Sequence, residues 1–144
     1  MNGEEEALRM FNNGSSYNCA QAVLSVLCED AGLDKETALK IANGFGGGVR
    51  SGNVCGAVSG AIMAIGLKYG FHKEGDFEQK GICYAKTDEF IEAFKKENGS
   101  VLCRDLLGFD IQSAEDFKNP EIRKLFSTVC TKMVSSAVRI AEGI

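Results

Sequence analysis

Apolar residues recur at helical rather than strand spacing along the whole chain. Leu8 and Phe11 share one face of a predicted helix over 4–12, which Asn13-Gly14-Ser15-Ser16 ends. Asn18 is placed to cap a second helix over 19–31. That segment is apolar nearly all round (Ala20, Ala22, Val23, Leu24, Val26, Leu27), the pattern of a buried central element. Gly32 stops it, and Asp34 caps a third helix over 35–43. A loop from Gly44 to Gly52 follows, with five glycines in nine residues. Asn53 is the next candidate cap, for a helix over 54–68 that is again apolar on most sides. After a connection from Gly70 to Gly75, Asp76 opens a longer amphipathic helix. Its stripe is Phe77, Cys83 or Tyr84, Thr87, Phe90 or Ile91, and Phe94, and Asn98-Gly99 ends it. Ser100 caps a short helix to about Leu107, and Ser113 to Asp116 reads as a capping box. Pro120 suits the first turn of a final helix that carries Ile122, Leu125, Phe126, Val129, Met133, Ala137 and Ile140. The expected fold is all-α: one domain over 1–144, a bundle of six or seven helices with the two nearly all-apolar ones at its centre.

Composition adds exclusions. The chain has 144 residues, 44% hydrophobic and 25% charged, an ordinary globular balance that needs no disulfide staples. The net charge of −4, with acids and bases interleaved, argues against nucleic acid as the main partner. The start, with Glu4-Glu5-Glu6, is acidic, unlike a secretory signal. The longest apolar stretch, Val54 to Leu67, contains three glycines and is too short to span a bilayer. A cytoplasmic chain with reduced thiols is expected. Two such apolar helices are also compatible with a homodimer.

Chemistry then turns on six cysteines, because one His and no Trp leave few other actors. Cys19, Cys55 and Cys103 each fall just after a predicted cap. Unpaired N–H groups and the positive end of the helix dipole stabilise a thiolate there, and equally an anionic metal–thiolate group. Cys130 and Cys83 lie on apolar helix faces and read as core filler. Cys28 is nine residues after Cys19, on the opposite side of the same helix. No Cys-x-x-Cys occurs, so any metal site must gather ligands from separate helices. Gly46-Gly47-Gly48 can form a backbone nest for an anion or cluster, but no Gly-Lys-Ser/Thr follows, so it is not a phosphate loop. Arg50 either adds a positive charge to the site or, as the plainer reading, is a solvated loop residue; His72 reads as exposed. Gly56 and Gly60 share a helix face where tight packing is the plain explanation.

The run Cys55-Gly56-Ala57-Val58-Ser59-Gly60, with Asn18-Cys19-Ala20 upstream and Cys103 and Cys130 downstream, resembles the C-GCAxxG-C-C family of redox-active proteins. The resemblance covers nearly the whole chain. It implies a working set of four, Cys19, Cys55, Cys103 and Cys130, and leaves Cys28 and Cys83 outside; Cys130 joins on resemblance alone. It supplies no reaction. The first expectation is an electron-transfer protein whose four thiolates hold an iron–sulfur cluster or another metal, with N–H groups near Gly46, Gly47, Gly48 and Gly56 offsetting its charge. The second is a metal-free thiol–disulfide oxidoreductase or redox sensor, with Cys19 or Cys55 as nucleophile. The third is a non-catalytic helical binding domain whose cysteines are packing. The redox partner, a protein or a small molecule, is not readable.

Overall fold

A computed structural model describes residues 2–12 and 15–144. It is all-α, as the periodicity predicts. The helices are α1 (Gly3–Phe11), α2 (Cys19–Leu27), α3 (Lys35–Ala42), α4 (Gly56–Tyr69), α5 (Phe77–Asn98), α6 (Cys103–Leu107), α7 (Pro120–Leu125) and α8 (Thr131–Glu142). The last two run on through a wide turn, Phe126–Cys130, whose flanking residues keep right-handed helical angles. Asn13-Gly14 of the predicted first stop lies outside the described residues. No strand forms among the described residues; the β pairing seen is an isolated antiparallel bridge between Val54 and Leu102.

Local chemistry sets most boundaries. Asn18 Oδ1 accepts from the Gln21 N–H at 3.0 Å, and Gln21 Oε1 accepts from the Asn18 N–H at 3.0 Å, a reciprocal cap that fixes where α2 begins. α2 ends earlier than predicted, at Leu27, with a short 3₁₀ turn over Glu29–Ala31 and a left-handed Gly32 behind it. Gly99, also left-handed, ends α5 after Asn98. Two predicted caps move. Cys55 rather than Asn53 occupies the cap position of α4, because residues 53–55 are drawn into extended pairing with 101–103. Leu102 caps α6, while Ser100 Oγ accepts from the Leu102 N–H at 3.0 Å.

α2 and α4 pack on each other more extensively than any other pair, with α8, α5 and α1 around them. The two nearly apolar helices are thus central. Gly60 lets their backbones close: a Cβ there would stand 2.8 Å from the Ala20 carbonyl oxygen. The main core joins Val23, Val58, Phe90, Phe94, Val134 and Val138, all fully buried. Two residues of the predicted α5 stripe do not join it. Phe77 and Tyr84 are exposed; Cys83, the alternative to Tyr84 on the stripe, packs against the core instead. Cys28 packs in a separate cluster with Leu24, Ala38 and Ala42. Among the described residues, no helix is long and apolar enough to cross a membrane.

Candidate functional site

Cys19, Cys55, Cys103 and Cys130 line one chamber of about 740 Å³, together with Gly46, Gly47, Gly48 and Gly56. A second cavity, of about 690 Å³, lies beside α1 and the end of α2 and contains no cysteine. Cys28, Cys83 and His72 do not line the thiol chamber.

Four separate elements deliver the sulfurs. Cys19 is the first residue of α2, presented by the Asn18 cap. The same Asn18 ties down the glycine loop, donating from Nδ2 to the Asn43 carbonyl at 2.9 Å. Cys55 and Cys103 are held against each other by two backbone bonds: the Cys55 N–H donates to the Val101 carbonyl and the Cys103 N–H to the Asn53 carbonyl, both at 2.7 Å. Cys130 closes the wide turn in the last helix. That turn has a chemical origin. The hydroxyls of Ser127, Thr128 and Thr131 bond back to the carbonyls of Arg123, Lys124 and Ser127, competing with the helix's own N–H groups. A wide turn carries one extra residue and so rotates the following side chains by about 100°.

Two close approaches need glycine. A Cβ on Gly56 would stand 2.5 Å from Cys19 Sγ, and one on Gly48 would stand 2.8 Å from Cys103 Cβ and 2.6 Å from the Asn53 backbone. The loop is therefore packed directly against the thiols.

The four sulfurs are not equivalent. The Cys55 thiol is the largest influence on Cys19, holding its pKa below the ordinary 9.0, and the N–H groups of Ala20, Gly47 and Ala57 add to this against the cost of burial. Cys55 goes well above 9.0, through that same bond to Cys19 and then through burial. Burial, and next the Cys19 charge, push Cys103 up to about 11. Cys130 is raised further, by burial and then by Cys19 and Cys103. In the metal-free chain, ionisation is favoured at Cys19 and disfavoured at the other three.

No carboxylate and no imidazole lines the chamber. Among the described residues, no three His, Cys, Asp or Glu side chains converge as ligands of a single metal ion. The apolar surroundings of the four cysteines differ. Cys19 and Cys55 belong to the main core, and Cys103 and Cys130 pack with Leu107 and Ile111.

Three chamber features were not legible as such. Arg50 is exposed, as expected of a loop arginine, but its guanidinium carbon also sits 3.8 Å from the centre of the Phe117 ring. Arg123 and Phe126 line the same space and carried no motif. The Ser127-Thr128 pair ahead of Thr131 was the available signal for the wide turn.

Comparison with known proteins agrees with the motif. A protein 32% identical over 133 residues, covering 85% of this chain and 81% of the relative, is an uncharacterized protein of Archaeoglobus fulgidus. No solved structure matches. The family model described as "Putative redox-active protein (C_GCAxxG_C_C)" matches residues 17–144, a span that contains all four chamber cysteines, and the chain belongs to that family.

Proposed function

We propose that the chain is a one-electron redox protein whose four chamber cysteines hold an iron–sulfur cluster. The observation that carries this reading is the lining itself: four sulfurs from four elements face one chamber free of carboxylate and imidazole. The donor set suits the group, since all-thiolate ligation by four cysteines is the usual mode of such clusters. A binuclear cluster suits the site better than a single tetrahedral zinc, because among the described residues no three side chains converge as ligands of one metal ion. When bound, the cluster would supply reversible one-electron chemistry. This chain's residues supply the rest. The N–H groups of Ala20, Gly47 and Ala57 offset negative charge at Cys19 sulfur, and the Val58 N–H does so at Cys55. Burial of all four cysteines keeps bulk water from the sulfurs.

A second reading rests on a different observation, the asymmetry between Cys19 and Cys55. A thiol whose ionisation is favoured, hydrogen-bonded to one that holds its proton more tightly, suits a dithiol reductant. Cys19 would attack a disulfide, releasing one thiolate; Cys55, giving up its proton, would then displace the second, leaving a Cys19–Cys55 disulfide.

A serine series separates the readings. Under the cluster reading, Cys19→Ser, Cys55→Ser, Cys103→Ser and Cys130→Ser each lose bound iron after anaerobic purification, while Cys28→Ser and Cys83→Ser keep it. If only the Cys19 and Cys55 replacements alter redox behaviour and none alters metal content, the dithiol reading stands instead.

A further inference from the structure

The mouth of the chamber carries a feature that redox chemistry at the thiols does not require. Gly47, Gly48, Val49 and Arg50 all have positive φ (66°, 65°, 58° and 60°), one turn of left-handed backbone. For Val49 and Arg50 this costs roughly 1–2 kcal/mol each, and for a β-branched valine it is a marked outlier. Val49 recovers none of that by burial, being 45% exposed. The turn instead delivers Arg50, itself exposed, to the chamber mouth, with its guanidinium carbon over the Phe117 ring. Phe117 in turn lies on Gly47, where a Cβ would come within 2.5 Å of the ring, and stacks on Phe126 with centroids 6.1 Å apart. Strain of this kind persists where surrounding structure fixes it, and it gathers at ligand clamps.

Arg123 reaches the same space from α7. Neither Arg50 nor Arg123 makes an ion pair among the described residues, although the chain as a whole carries a net charge of −4. No acid lines the chamber. Two guanidiniums without carboxylate partners therefore face an acid-free cavity with thiols at its base. Its volume of about 740 Å³ falls in the range of small-molecule sites, and the sulfurs are too recessed for a flat protein surface to touch.

We propose that the chamber mouth is an anion-binding subsite, with Arg50 and Arg123 selecting a small anionic redox partner for the thiol site below. The inference rests on the chamber being the redox centre, by either of the two chemistries above.

The test uses the full reduced chain as purified anaerobically, with two one-electron oxidants of opposite charge: ferricyanide, a trianion, and tris(phenanthroline)cobalt(III), a trication. Each ferricyanide takes one electron from the site and becomes ferrocyanide. Without a cluster, two ferricyanides oxidise two thiols to a disulfide and release two protons. Ferricyanide should react faster, and its advantage should shrink with added salt. Arg50→Gly keeps the left-handed turn at no steric cost and removes the whole side chain, its guanidinium and its contact with Phe117 included. It and Arg123→Gln should each slow ferricyanide by about tenfold without slowing the cobalt complex. Lys40→Gln, an exposed cation outside the chamber, should change neither rate. Arginine variants with unchanged ferricyanide rates, or an equal loss in Lys40→Gln, overturn the subsite while leaving the redox reading intact. Failure of the wild type to react with either oxidant overturns both.

Discussion

Replacing Gly56 by alanine puts a methyl group where the chain has already packed a sulfur. The new Cβ would lie 2.5 Å from Cys19 Sγ, 2.9 Å from the Phe45 carbonyl oxygen and 3.3 Å from Ala20 Cβ. Non-bonded carbons sit comfortably at about 3.5–4.0 Å, so α2 or α4 must yield by about 1 Å. Overpacking of this kind costs about 1–3 kcal/mol. Gly56 is the first residue of α4, where the helix-interior advantage of alanine is little returned, so a net loss on the order of 1–3 kcal/mol remains. Gly66, in the same helix, meets nothing within 4 Å. Gly66→Ala should therefore gain about 1 kcal/mol. One substitution made twice in one helix is expected to move stability in opposite directions. Urea unfolding followed by circular dichroism reads both midpoints, with unchanged slopes. The reasoning fails if Gly56→Ala is as stable as the parent, or if both variants shift the same way. Gly56→Ala should also lower iron content, because the displaced sulfur is Cys19; Gly66→Ala should not.

Further outcomes follow from the same geometry. Asn18→Ala removes the reciprocal cap of α2 and the tether to Asn43, and should cost about 1–2 kcal/mol in thermal or denaturant unfolding. Val49→Gly relieves roughly 1–2 kcal/mol of left-handed strain against about 0.5–1 kcal/mol of added chain entropy, so it should be neutral to mildly stabilising despite deleting an apolar side chain. In reduced, metal-free protein, alkylation of Cys19 followed by mass spectrometry should reach half its maximum below pH 9.0, and Cys55→Ser should move that midpoint upward if the Cys55 thiol is the main donor. Cys103 titrates in the opposite sense. Its folded pKa of about 11 exceeds the ordinary 9.0, so its contribution to stability is complete below pH 9 and fades as pH rises toward 11, a decline that Cys103→Ser should flatten.

Much of the frame was legible because it rests on short-range chemistry. Asn18, Asp34, Asp76 and Pro120 act at helix starts as their residue types dictate, and the unbroken apolar runs of α2 and α4 mark the central pair. Asn53 and Ser100 misled because the residues after them join a backbone bridge formed across 48 positions, between Val54 and Leu102, which no local pattern announces. Gly66 has no steric reason that the bundle reveals, whereas Gly60 serves the helix contact and Gly56 serves Cys19. Helix rotation alone separated Cys28 from Cys19. It could not place Cys130, whose direction depends on a wide turn built by hydroxyls that compete for carbonyls. Arg50 is exposed as expected, but its place over Phe117 was not legible, because left-handed backbone at Val49 and Arg50 is not a local preference of either residue; packing of the glycine loop against Asn53, Cys103 and Phe117 imposes it.

The central claim is that four cysteines converge to hold a cluster. Its most direct test is iron and acid-labile sulfide analysis of the anaerobically purified chain, with its visible absorption spectrum. The account predicts a coloured protein with about two iron and two sulfide per chain, bleached by one-electron reduction. A colourless protein that binds no iron when offered iron and sulfide, and whose four chamber thiols all remain free to react, would contradict it.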